Sequence, residues 1–235
     1  MKWFSVDRSW ALAYLGLGVA ACGGLPRTVV PSGAVPASVG AAEAWLDSAR
    51  VRSPVLHTFR FQLQESGGGS GGGRGTARIA SGDSLRFDVA GPLGSWRGAA
   101  FVIGDSAQWA EPEDEVRKLV PNYPLLWAIL GVPRPPRPLG EVSRFSDERV
   151  VSWRFVSGAD TIEYAWWHGV ETRLLTQVRH GGELIGHVET VFGPDGGLTR
   201  SRLTVPSGPA RLDVRYVATT KPDAFPADVW APPAP

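Results

Sequence analysis

The sequence predicts a mainly β (α+β) protein, an antiparallel meander of about ten or eleven strands. The meander is expected to curl into a half-open β-barrel whose concave face is lidded by short helices. Three observations predict it. Stretch after stretch alternates apolar and polar residues at period two. The connections carry hairpin chemistry, as in Ser157-Gly158, Gly181-Gly182 and Pro194-Asp195-Gly196. Only a few short segments show helical spacing, too few to cover a wide sheet on both sides.

Taken in order, Met1 to Ala21 reads as a secretion signal. Lys2 and Arg8 supply a basic start, and the apolar run Trp10 to Ala21 is too short to span a bilayer comfortably. Val19-Ala20-Ala21-Cys22 is the pattern of a bacterial lipoprotein cleavage site. Residues 1–21 are then the signal, and Cys22, the only cysteine, becomes the lipidated N-terminus. An aspartate in the next position would retain such a protein at the inner membrane. Gly23 stands there instead and points to the outer membrane, with the chain lipid-anchored on its periplasmic face. Residues 22–36, rich in Gly and Pro, read as a flexible tether, and 37–235 as one domain. Without Lys2, Arg8 and Asp7 the 24 basic and 23 acidic residues fall to 22 of each. That balance, with no basic run, excludes nucleic acid as a partner.

Ala41 to Val51 has Ala42, Trp45, Leu46 and Ala49 at helical spacing. The strand that follows sets Val55, His57, Phe59, Phe61 and Leu63 on one face. Gly67 to Gly75 lacks the Lys-Ser/Thr and the helix of a phosphate loop, and reads as a floppy hairpin loop before Ala77 and Ile79. A hairpin then runs from Leu85-Arg86-Phe87-Asp88-Val89 to Ala99-Ala100-Phe101-Val102-Ile103. After a strand at Ala107 to Ala110, Glu111-Pro112-Glu113-Asp114 opens a helix with acids at its positive end. Tyr123 to Gly131 is a helix that is apolar nearly all round, so something must cover it. The Pro-rich segment to Pro138 reads as a linker. The rest is strands: 151–155, 162–166, 170–178, 184–192, 198–205 and 212–216.

The hairpin tip, Gly91-Pro92-Leu93-Gly94-Ser95-Trp96, places a bare leucine between two turn-forming pairs. Such a side chain either folds back onto the core or meets another apolar phase. Moving it from water into hydrocarbon gains about 1.5–3 kcal/mol.

The run from Leu85 through Pro92-Leu93-Gly94 to the helix ending Leu130-Gly131-Val132-Pro133 resembles LolB-like outer-membrane lipoprotein receptors, in the LolA/LolB superfamily of lipoprotein and lipid carriers. The likeness covers about fifty residues. Trp127 stands one place further from the Leu-Gly pair than the pattern has it, and the glycine-rich insert is foreign to it. The resemblance implies a LolA/LolB-like fold and an acceptor that helps insert lipoproteins into the outer membrane. It assigns the protruding-loop role to Leu93 and suggests a periplasmic LolA-like donor. Trp96 suits an interfacial companion on its own chemistry.

An acyl chain costs about 0.8 kcal/mol per CH₂ to hold in water, so it needs an apolar groove to cross an aqueous space. Candidate groove residues are Phe59, Phe61, Leu85, Phe87, Trp153, Phe155, Tyr164 and Trp166. Periodicity alone does not separate such a groove from an ordinary core. Release into a bilayer is nearly an even exchange and calls for no cofactor, nucleotide or metal. His57 reads as a core or groove histidine, and His187-Val188-Glu189 lacks the spacing of a zinc site. No Gly-x-Ser-x-Gly elbow is present and the one thiol is committed to lipid, so the chain reads as a monomeric binder and not an enzyme. Two alternatives share these features: a carrier or sensor of free lipids, as LppX-like proteins are, and a ligand-free structural envelope lipoprotein.

Overall fold

A computed structural model describes residues 29–65, 69–80, 83–95, 97–104, 106–112, 122–135, 137–206 and 210–232. The signal, Cys22 and Trp96 lie outside them, as does the expected helix from Glu113 onward; Glu111 itself closes a strand. The elements in chain order are β1 (Val35–Pro36), α1 (Val39–Ser48), β2 (Val55–Glu65), β3 (Ser70–Ala80), β4 (Ser84–Ala90), β5 (Arg97–Ile103) and β6 (Ser106–Glu111). They continue with α2 (Tyr123–Ile129), β7 (Glu141–Ser146), β8 (Val150–Ser157), β9 (Asp160–Trp167), β10 (Thr172–His180), β11 (Glu183–Phe192), β12 (Leu198–Val205) and β13 (Ala210–Thr220).

Among the described residues the strands form one sheet of 13, in the order β1-β7-β8-β9-β10-β11-β12-β13-β2-β3-β4-β5-β6. Every pairing is antiparallel, and β1 and β6 remain as unpaired edges, so the barrel is open. The two strands beyond the eleven legible in the sequence are β1 and β7, which pair with each other. Pairing of β13 with β2 joins the two ends of the chain across the middle of the sheet.

Alternation gives each strand one dry face. Phe59 and Phe61 of β2, Leu85 and Phe87 of β4, Trp153 and Phe155 of β8 and Tyr164 of β9 all belong to the core on the concave side. Helices α1 and α2 cover that side. Ser38 caps α1 by accepting from the Ala41 N–H at 3.2 Å, and Ala42 and Leu46 turn inward. In α2, Pro124 sits in the first turn and Leu125 to Ile129 are all buried, as an all-round apolar helix requires. Gly131, at φ 73°, supplies the left-handed residue that ends it.

Three expectations need correction. The glycines are strand and not loop from Ser70 on, with Gly75 opposite Phe59 and Gly73 opposite Phe61. A Cβ at Gly75 would lie 2.4 Å from the Phe59 ring, and one at Gly73 would lie 2.8 Å from the Phe61 ring. The bare backbone is what lets both rings lie across β3. Within residues 22–36, expected to be a tether, Val35–Pro36 form β1 and the first described residues are packed. Val29 and Val30 are buried on the outer face, Val29 against Val150 and Ala165. There the Val29 N–H donates to Glu163 Oε2 at 2.9 Å, and Arg154 Nε donates to Glu163 Oε1 at 2.7 Å. The third correction is the Pro-rich linker, whose Gly131, Val132, Pro133 and Pro135 are buried.

Candidate functional site

The tip is built by the β4–β5 ladder, in which Phe87 opposes Ala100 and Val89 opposes Gly98. Beyond it, Pro92–Gly94 forms a single 3₁₀ turn, closed by the Ser95 N–H donating to the Pro92 carbonyl at 3.0 Å. Leu93 at the apex is fully exposed, at 108% of its reference area, and takes φ 54°, ψ 18°. Left-handed backbone costs a side-chain-bearing residue about 1–2 kcal/mol. Leucine here is therefore both strained and unburied.

The eight candidate groove residues share one core, within which aromatic contacts mark out smaller groups. Phe59 stacks on Phe87 at 5.3 Å, with Phe61 and Leu85 in the same core. Trp153, Phe155 and Tyr164 gather under α1, where Trp45 lies 5.6 Å from Trp153, 6.5 Å from Phe155 and 5.8 Å from Tyr164. Trp166 packs at the edge of the same core, half-buried and stacked on Phe192 at 5.0 Å.

Among the described residues the concave face is largely filled. Helix α2 occupies it, and hydroxyls of the sheet hold the carbonyls at its C-terminal end. Thr190 donates to the Ala128 carbonyl at 2.7 Å, while Ser201 and Tyr216 both donate to that of Ile129 at 2.6 Å. Burial pushes the phenols of Tyr164 and Tyr216 far up, so both stay neutral. The space left among Phe59, Phe61, Phe87, Val89, Leu212 and Val214 is about 10 Å³. His57 is a satisfied core histidine, with Nδ1 2.9 Å from Thr219 Oγ1 and its ring on edge to Tyr216. Burial pushes its pKa down to about 4. Among the described residues no cluster of His, Cys, Asp and Glu could hold a metal ion.

A second cavity, of about 300 Å³, opens between the end of α1 and the start of α2. Arg134 pairs there with Asp83, lies 4.8 Å over the Trp127 ring, and donates its backbone N–H to the Tyr164 hydroxyl at 2.9 Å. Burial works to raise the Asp83 carboxyl, but Arg134, with Arg50 and Arg137 nearby, holds it below the usual carboxylate range. Arg134 was hidden in the sequence because its neighbours are prolines, which read as linker chemistry.

No family model matches the chain, and no curated protein matches it. Several solved structures are similar to it. A domain of an outer membrane lipoprotein-sorting protein from Vibrio parahaemolyticus shares 10% identity, over 80% of this chain and 94% of that one, at a TM-score of 0.48. A LolA superfamily protein from Nitrosomonas europaea shares 8% identity, over 83% and 98%, at a TM-score of 0.35. MucB, in its complex with the MucA periplasmic part, shares 11% identity, over 84% and 60%, at a TM-score of 0.34. At these values the likeness is one of general architecture, and no residue's role passes to this chain from those proteins.

Proposed function

We propose that the chain is a lipid-anchored, LolB-like acceptor of lipoproteins on the periplasmic face of the outer membrane. Cys22 carries the anchor, the aromatic concave face receives acyl chains, and the Leu93 tip, with Trp96 as its interfacial companion, passes them into the bilayer. The observation that carries this reading is Leu93 itself, an aliphatic side chain held out in water on strained backbone, at φ 54°. No fold-stabilising contact accounts for it. The partners are the lipoprotein's acyl chains, the membrane and a periplasmic donor.

The largely filled concave face is compatible with an unloaded acceptor. A vacant apolar cavity costs about 24 cal/mol per Å³, so a hollow of about 300 Å³ would cost about 7 kcal/mol. An empty carrier is more stable shut, with α1 lifting from Trp153, Phe155 and Tyr164 when acyl chains arrive. Release into lipid then trades one hydrocarbon environment for another and draws on no cofactor.

The test is lipoprotein incorporation into liposomes by the Leu93→Glu variant. Incorporation should collapse, and wild-type rates would remove the mechanism. The nearly filled interior specifically favours a second reading, an envelope lipoprotein without ligand. Mass spectrometry of organic extracts of the purified protein separates them: no recoverable lipid or lipoprotein under any loading condition supports the filled core. Stoichiometric free lipid would make the chain a free-lipid carrier instead.

A further inference from the structure

The outer face of the sheet carries a row of arginines. Strand register sets Arg74 of β3 opposite Arg60 of β2, Arg60 opposite Arg215 of β13, and Arg215 opposite Arg200 of β12. Adjacent residues Gly73, Phe61, Val214 and Ser201 turn to the concave side, so these four guanidiniums share the outer one. All four arginines are exposed. At about 4.8 Å between strands the row runs about 14 Å.

Like charges directly opposite one another on a sheet are destabilising. This row sets three such pairs in succession. Three of the neighbouring carboxylates are shared with arginines, mostly outside the row. Asp213 accepts from Arg202 and Arg211 at 2.7 Å each. Glu189 accepts from Arg173 at 3.0 Å, and Glu171 from Arg173 at 3.0 Å and Arg200 at 3.1 Å. None of these ion pairs reaches Arg60, Arg74 or Arg215. Beside the row lies a depression of about 720 Å³, lined by Arg60, Arg200, Arg202, Arg211 and Arg215 against only Glu189 and Asp213. A chain whose charges otherwise nearly cancel thus gathers cations on one face, with Arg200 alone of the four in an ion pair among the described residues, the arrangement that recruits an anionic partner.

What that partner is follows from the rest of the row. In one direction it continues through Ala90 to Arg97, at the foot of the Leu93 hairpin. In the other it passes Val191 and Arg173 to Trp167, which is 37% exposed, and then to Val150, where Val29 packs. Tryptophan and arginine together suit a headgroup layer. Val29 is seven residues beyond Cys22, a reach of at most about 25 Å. An acyl anchor at Cys22 therefore keeps this face close to lipid.

We infer that the outer-face row of Arg74, Arg60, Arg215 and Arg200 binds the phosphates of anionic membrane headgroups and leaves the helix-covered face turned to the aqueous side. The choice of occupant rests on the lipid-anchored reading above. The strip itself does not.

The test uses the chain from residue 22 with Cys22→Ser, so that no acyl group masks the contact. Its co-flotation is measured with phosphatidylcholine vesicles with and without phosphatidylglycerol. Near an anionic surface each arginine is worth about fivefold in partitioning. The Arg60→Gln/Arg215→Gln pair should thus weaken binding to the anionic vesicles about thirtyfold. Arg50→Gln, at the end of α1 and away from the row, should leave it unchanged. Added salt should weaken the wild type more than the double variant. Both substituted side chains are exposed, and a near-ultraviolet circular dichroism spectrum shared with the wild type checks the fold. Equal binding to both kinds of vesicle, or a double variant that binds like the wild type, overturns the inference. So does inorganic polyphosphate that binds as tightly as vesicles do, since it would assign the row to soluble polyanions. Lost vesicle binding with lipoprotein incorporation still dependent on Leu93 upholds both proposals. Leu93→Glu without effect on incorporation, while the arginine pair still governs vesicle binding, sinks the transfer reading alone.

Discussion

Replacing Leu93 by asparagine should make the protein more stable and less active. Leu93 occupies the left-handed region at φ 54° and is exposed to 108% of its reference area. Its side chain therefore contributes nothing by burial, while its backbone costs about 1–2 kcal/mol. Asparagine tolerates that region and keeps a side chain, so it avoids the entropic penalty that glycine would add. A gain of about 1 kcal/mol is expected, which shifts a urea midpoint upward by about 0.3–0.5 M at an unchanged slope. The same substitution removes a leucine whose transfer into hydrocarbon is worth about 1.5–3 kcal/mol, so lipoprotein incorporation should fall about tenfold or more. Urea unfolding followed by fluorescence, beside a liposome incorporation assay, reads both effects on one preparation. A midpoint lowered by an equivalent of 1 kcal/mol or more would mean that the leucine packs on the body of the protein. Either that outcome or undiminished incorporation refutes the reasoning.

Three further outcomes are expected. Trp45→Ala removes the ring that α1 lays on Trp153, Phe155 and Tyr164; stability should drop by about 2 kcal/mol while binding of a fluorescent fatty acid rises, and unchanged binding would favour a filled core. His57, held down to about 4 by burial, binds a proton less readily folded than unfolded between pH 6.5 and 4. Its contribution is complete above pH 6.5 and is lost as pH falls towards 4, about 2 kcal/mol of it by pH 5. His187, lowered by burial in the same direction, adds to the slope, so the comparison is with His57→Gln, whose pH profile should be flatter across this range. Gly75→Ala, which sets a Cβ 2.4 Å from the Phe59 ring, should cost about 1–3 kcal/mol by thermal unfolding, with Phe59→Leu in the same chain restoring part of it.

The strand faces could be read from the sequence because period-two burial is a property of the strand itself. Phe59, Phe61, Leu85, Phe87, Trp153, Phe155 and Tyr164 all lie on the side that their alternation assigns. What stayed hidden depends on a partner far along the chain. The glycines of β3 become a strand only because Phe59 and Phe61 lie across them, and a glycine run carries no pattern of its own. Val29 and Val30 read as tether until Glu163, some 134 residues later, offers an acceptor for the Val29 N–H. Two-residue β1 exists only as the partner of β7, whose Glu141-Val142-Ser143-Arg144-Phe145-Ser146 is too polar to announce itself. The exposed leucine was visible as turn chemistry around an apolar residue, whereas its φ of 54° was not.

Which helix moves can be argued from how each is held. Every residue of α2 from Pro124 to Ile129 is buried, and hydroxyls from β11, β12 and β13 hold the carbonyls at its end. Lifting it would strand those carbonyls and three buried donors, each costing about 1–3 kcal/mol. By contrast, α1 buries only Ala42 and Leu46 fully, and its Trp45 adds ring contact without a hydrogen bond to the sheet among those seen. Opening at α1 costs apolar area and one exposed ion pair, Glu43 with Arg137 at 3.0 Å, and an incoming acyl chain restores the apolar part methylene by methylene. An acyl-chain site is therefore expected at Trp153, Phe155 and Tyr164 under α1, with α2 as fixed floor. On this argument a fatty acid carrying a photoreactive group should label Trp153 or Tyr164, and labelling confined to Phe59 and Phe87 would show that α2 is the element that yields.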